Sequence, residues 1–128
     1  MKKWLMILMI AGLSACEKSE MVRGNGLTGT WKLARTTGGF AGIDKTPGAG
    51  EVTLLKLNAD KTYSTTFNSS VRASGTYILS SGESAMFGQK VNYIALGEDY
   101  PMVYEVKDHR LYLLEEMADG FNYEYVRE

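Results

Sequence analysis

One cysteine, one histidine and two prolines in 128 residues set the first limits on this chain. Cys16 has no second thiol within these residues, so an intramolecular disulfide is closed to it and packing alone must hold the fold. His109 is the single imidazole. A zinc centre draws on several histidines or cysteines, so no metal site is expected. An excess of one charge is also missing, because 14 basic residues face 15 acidic ones for a formal charge of −1. Nucleic-acid binding rests on neutralising phosphates with Lys and Arg, and this balance does not provide for it. Apolar runs stay well short of the roughly 20 residues that a membrane-spanning helix needs. Beyond the first segment, no stretch of about ten residues carries the 3,4 apolar spacing of a helix.

What is present begins at the N-terminus. Met1-Lys2-Lys3 is a basic start, Trp4 to Leu13 is an apolar run, and Ser14 and Ala15 are small residues just before Cys16. That order is the pattern of a secretory signal. Leu13-Ser14-Ala15-Cys16 resembles the lipobox of bacterial lipoproteins. The resemblance implies that residues 1–15 are cleaved as a signal peptide and that Cys16 receives a diacylglycerol and an N-linked acyl chain of the palmitate class. No other cofactor is expected. It also implies a lipid-anchored place in the bacterial cell envelope, and Glu17 after the cysteine, rather than Asp, favours the outer membrane. Periplasmic and surface-facing orientations both stay open. Removing Lys2 and Lys3 leaves 12 basic against 15 acidic side chains, a charge of −3. A buried core thiol at Cys16 is disfavoured, since Glu17, Lys18, Ser19 and Glu20 follow and resist burial.

Residues 16–26 read as the lipidated cysteine and a polar tether, and residues 27–128 as one domain with one core. Fully extended, the tether would reach only about 35 Å, at roughly 3.4 Å per residue. Gly24-Asn25-Gly26-Leu27-Thr28-Gly29 matches the dinucleotide fingerprint in form only. That fingerprint needs a strand before it and a helix after it, and Trp31-Lys32-Leu33-Ala34-Arg35 follows with a two-residue period.

Period two continues from Thr28 to the end and predicts strands at 28–36, 51–58, 61–68, 72–80, 84–96 (interrupted at Gly88), 101–107, 110–117 and 120–127. Turn chemistry separates them at Asn58-Ala59-Asp60-Lys61, Asn68-Ser69-Ser70, Ser80-Ser81-Gly82, Gly97-Glu98-Asp99, Lys107-Asp108-His109 and Ala118-Asp119-Gly120. Links this short permit only antiparallel neighbours. The fold class is therefore all-β. Closing the sheet removes its two edges, so a small eight-stranded antiparallel up-and-down barrel is the expected architecture. A sandwich would need longer crossings, and the one long link here is Thr36 to Gly50.

Gly29-Thr30-Trp31 on the first strand, followed by that loop and seven hairpin-linked strands, resembles the lipocalin and calycin group, and more narrowly the small lipocalin-like lipoproteins of Gram-negative envelopes. Leu55-Lys56-Leu57-Asn58-Ala59-Asp60-Lys61-Thr62-Tyr63, Gly75-Thr76-Tyr77, Tyr104-Glu105-Val106 and Tyr123-Glu124-Tyr125-Val126-Arg127 continue the likeness across the domain. The resemblance implies that Gly29, Trp31 and Arg127 form a structural plug, with Trp31 at the closed end and Arg127 over its indole. Two departures stand out. Relatives often carry Asp-Gly where this chain has Asp60-Lys61, which asks Lys61 to take a left-handed conformation. The helix that follows the barrel in larger lipocalins has no counterpart before Glu128. Avidin-like barrels share the Gly-x-Trp opening, but they line the biotin site with several tryptophans, and only Trp31 would remain here.

One strand face collects Leu33, Leu55, Leu57, Tyr63, Phe67, Tyr77, Tyr93, Tyr104, Leu113, Tyr123 and Tyr125, with Leu79, Leu111 and Phe121 beside them. These are the candidate lining of a cavity for a small hydrophobic or amphipathic ligand, with tyrosine hydroxyls as its few polar contacts. The alternative is a barrel filled by its own side chains, acting through its loops on another envelope protein as an inhibitor or assembly factor. Outward Leu54, Ile78, Ile94 and Leu114 would serve that reading. Phe40 and Ile43, apolar residues in a glycine-rich loop, are candidates for a lid over the mouth or a cover for its rim. Catalysis is not expected. His109 lies in a tight charged turn, no nucleophile motif accompanies it, and Glu115 and Glu116 alternate to opposite faces of a strand. The expected partners are thus a membrane through the lipid, a small ligand or an envelope protein, with the domain itself a monomer.

Overall fold

The structure, a computed structural model, describes residues 26–128; the expected signal peptide, Cys16 and the expected tether up to Asn25 lie outside them. Nine strands follow in order: β1 (Gly29–Gly38), β2 (Ile43–Lys45), β3 (Thr53–Leu57), β4 (Thr62–Phe67), β5 (Ser70–Ser84), β6 (Gln89–Leu96), β7 (Met102–Lys107), β8 (Arg110–Leu114) and β9 (Phe121–Arg127). All neighbours are antiparallel, and β1 pairs with both β3 and β9, which closes an eight-stranded ring. The fold is the all-β up-and-down barrel that the alternation and the short links predict. The ninth strand, β2, stands outside the ring. It pairs with Thr36–Gly38 on β1 beyond the stretch that β3 covers, so part of the long first link is itself a hairpin.

The turns are built by their residues. Lys61 takes φ 70°, the left-handed value that Asp60-Lys61 demands, while the Asp60 carboxylate accepts hydrogen bonds from the Thr62 amide and hydroxyl. Asn68 and Ser69 join β4 to β5 at positive φ, and Asp108 and His109 do the same between β7 and β8. Positive φ at both central positions gives the turn whose twist matches the flanking strands. Two bulges bend the sheet, one in β1 between Leu33 and Arg35 and one opposite Thr65 and Thr66. Inside the ring, Leu27, Trp31, Leu55, Leu57, Tyr63, Tyr77, Ile94, Leu96, Leu111 and Leu113 form one buried cluster.

Three expectations are corrected. Ser80-Ser81-Gly82 is not a turn, because β5 runs through it as a 15-residue strand paired with β6 up to Ser84–Gln89. The chain reverses instead at Ala85–Gly88, where the Ser84 hydroxyl accepts from the Phe87 amide and Gly88 takes φ 67°. The phase of β6 is also reversed. Ile94 is fully buried inside, so Tyr93, one position away, faces outward and does not line the interior. Lastly, Thr36–Gly50 is not a plain loop, since it carries β2. Glycine makes that hairpin possible, with Gly39 at φ 79° and Gly42 at φ 66° in its turn, while at Gly38, φ 101°, a Cβ would collide with the Gly120 carbonyl oxygen just before β9.

Candidate functional site

One end of the barrel is shut. Trp31 is fully buried, and its indole N–H donates to the Leu27 carbonyl at 2.9 Å. The Arg127 guanidinium lies over the Trp31 ring, 4.2 Å from its centroid, and donates to the carbonyls of Thr28 and Gly26. A Cβ on Gly29 would fall 2.5 Å from Arg127 Nη1, so only glycine leaves the guanidinium its place. Around this plug Leu57, Tyr63, Tyr77 and Leu111 are packed solid, and the Tyr77 hydroxyl donates to the Asn58 carbonyl at 2.8 Å.

Toward the other end the interior opens. A cavity of ≈ 370 Å³ is bounded inside by Leu55, Thr65, Leu96, Met102, Leu113, Tyr123 and Tyr125. Its mouth is formed by Asp99, Tyr100 and Pro101 from the β6–β7 loop and by Glu115 and Met117 from the β8–β9 loop. Glu115 is held in place, for its carboxylate accepts from the Phe121 amide at 2.9 Å. Burial pushes the Tyr125 phenol up to about 12, and burial, followed by the Glu115 charge, raises that of Tyr123. Both hydroxyls are therefore neutral donors over any ordinary pH.

The predicted lining separates into groups. Leu55, Leu113, Tyr123 and Tyr125 border the cavity. Leu57, Tyr63 and Tyr77 belong to the packed half, and Tyr104 is a partly buried residue against it. Leu33 and Phe67 border a smaller recess of ≈ 180 Å³ with Thr36, Lys45, Thr46, Pro47, Glu51 and Thr53. Tyr93 is outside, its hydroxyl donating to Glu116 at 3.0 Å. The lid expectation changes as well. Phe40 is 95% exposed and Ile43 is 38% exposed at the β1–β2 hairpin, so neither closes the interior, and the segment that borders it is Thr46–Pro47. Thr65, Leu96 and Met102 are lining residues that sequence reasoning missed. Leu96 shares the phase of Ile94, so the correct phase of β6 would have found it.

Outside the ring, the end of the β5–β6 hairpin lies against β7 and β8. The Ser84 hydroxyl, almost fully buried, donates to Glu116, and Phe87 and Val91 border a groove with Val103 and Leu114. A second outer groove of ≈ 360 Å³ runs over Arg35, Thr37, Tyr112, Asn122 and Glu124. Two ion pairs flank it, Arg35–Asp44 at 2.7 Å and Arg110–Glu124 at 2.5 Å. His109 is exposed in its turn. Among the described residues no group of three His, Cys, Asp or Glu side chains is placed to hold a metal ion. In comparisons with protein-family models, curated proteins and solved structures, nothing matches the chain.

Proposed function

We propose that this protein is a lipid-anchored lipoprotein of the bacterial envelope whose lipocalin-like barrel holds one small hydrophobic or amphipathic molecule. The observation that carries the binding part is the ≈ 370 Å³ cavity with an aliphatic inner wall, two tyrosines and an open mouth. Its volume is near the lower end of the roughly 300–1,000 Å³ of small-molecule pockets, enough for a single short acyl chain or a compact ring system. The anchor rests on Leu13-Ser14-Ala15-Cys16 alone. The two parts have separate tests. Labelling cells with a clickable fatty acid should mark the wild-type chain and leave Cys16→Ser unmarked; equal labelling removes the anchor. A neutral environment-sensitive dye titrated into the full chain, held in lipid nanodiscs with empty discs as the blank, should bind saturably at one per chain. Thr65→Phe, which fills the cavity from β4, should weaken uptake about tenfold. Absence of saturable uptake by the wild type removes the ligand-binding reading.

A second reading keeps the barrel as a scaffold that acts through its loops. Phe40 at 95% exposure and Tyr100 at 89% favour it, because large apolar side chains left in solvent often mark contact surfaces. A photo-crosslinker at position 40 should then capture one envelope protein in intact cells, and a smear without a discrete product counts against it.

A further inference from the structure

The charge of the cavity mouth selects among ligands. Resting on the ligand-binding reading above, we infer that the barrel takes amphiphiles with a cationic head, such as an alkylamine or an alkylammonium, in preference to fatty-acid anions of the same chain length. Both charged residues that border the cavity, Asp99 and Glu115, are acidic. They sit on two different loops at the mouth, where the polar end of a molecule would stop once its apolar part lies against Leu55, Leu96 and Leu113. Glu115 is not free to swing away, because the Phe121 amide fixes its carboxylate. Tyr123, whose phenol is raised by burial first and by the Glu115 charge second, lines the same cavity. Lys45 borders the smaller recess together with Glu51 and takes no part in this mouth.

The physics gives the sign and the scale. A carboxylate head placed beside two carboxylates meets repulsion, and an ammonium there meets attraction. At about 5 Å and an effective dielectric of roughly 20 to 80, each such pair changes binding by a factor of about four to a few hundred. The cavity supplies chain affinity, which is equal for both heads, so the head decides the preference.

The experiment displaces the bound neutral dye from the full chain in nanodiscs with decyltrimethylammonium, decanol and decanoate, each corrected against empty discs. The cation should displace at a concentration at least about tenfold below decanoate, with decanol between them. Raising the salt from low to high should shrink the ratio, because the mouth is open to water. Asp99→Asn and Glu115→Gln should each reduce the ratio, and together bring it within about twofold of the decanol reference. The amide oxygen that Glu115→Gln introduces can still accept from the Phe121 N–H, and Asp99→Asn alone keeps the test standing if position 115 tolerates no change. Decanoate equal to or better than the cation overturns the inference, as does a preference that survives both substitutions. Failure of the dye itself to bind is a different result and removes the ligand-binding reading together with this one.

Discussion

Arg127 occupies the space that a side chain at position 29 would need, and this sets the character of the closed end. A guanidinium over an indole face contributes about 0.5–2 kcal/mol according to desolvation. The larger contribution is Trp31 itself, buried completely within the hydrophobic core. Trp31→Ala should cost roughly 3–5 kcal/mol, measured as the shift of a denaturant midpoint. A cost under about 1 kcal/mol would show that the end is held by something else. The phenol of Tyr125 gives a second measurement. A tyrosine becomes charged by losing its proton, and burial disfavours the anion in the folded chain. Between the ordinary value of 10.0 and about 12, the unfolded chain has released this proton and the folded chain retains it. Stability is therefore unaffected below that window and falls as pH rises through it, by roughly 2–3 kcal/mol at most. Burial also raises Tyr77, Tyr104 and Tyr123, so they act in the same direction. Phenolate absorbance during a base titration should rise late and together with unfolding, and Tyr125→Phe should lessen the loss of stability.

At the scale of elements, the turns were the most legible part of the sequence. Asn68-Ser69 and Asp108-His109 take positive φ at both residues and Asp60-Lys61 at Lys61 alone, and each joins two strands where the sequence places a break. Gly29-x-Trp31 likewise marks the first strand. The phase of β6 was not legible, and the reason is specific. Val91, Tyr93 and Ala95 alternate as well as Ile94 and Leu96 do, because the strand is covered on both faces. One covering is the core and the other is the outer side of β7 and β8, over which the hairpin curls, a contact that no local pattern announces. Ser80-Ser81-Gly82 misled for a related reason: small residues lie on a strand where the turn itself is set by Ser84 and Gly88 further along. The cavity was only half legible. Sequence alternation selects inward residues, but whether they meet across the ring depends on stagger. The stagger leaves Tyr63 and Tyr77 packed while Tyr123 borders open space. Glu116→Ala offers a test at this scale. It removes the acceptor of both Ser84 and Tyr93, so amides of residues 84–91 should exchange with solvent at least about tenfold faster, with the rest of the barrel little changed. Unaltered exchange there would show that the hairpin end is held by its apolar contacts alone.

For the molecule as a whole, the ring is not uniform around its circumference. β5 and β6 share eight residue pairs, whereas β6 and β7 share three, Asn92–Tyr104, Tyr93–Val103 and Ile94–Met102. A closed barrel unzips at its shortest ladder, and this one borders the cavity, since Leu96 and Met102 stand on its two sides. The Ser84 and Tyr93 bonds to Glu116 cross that same seam from outside, joining the β5–β6 arm to the chain beyond β8. They work as a clasp on a ring with one thin link. Any sideways widening of the ring is therefore least costly in backbone pairing at this seam, and it requires the Glu116 bonds to break first.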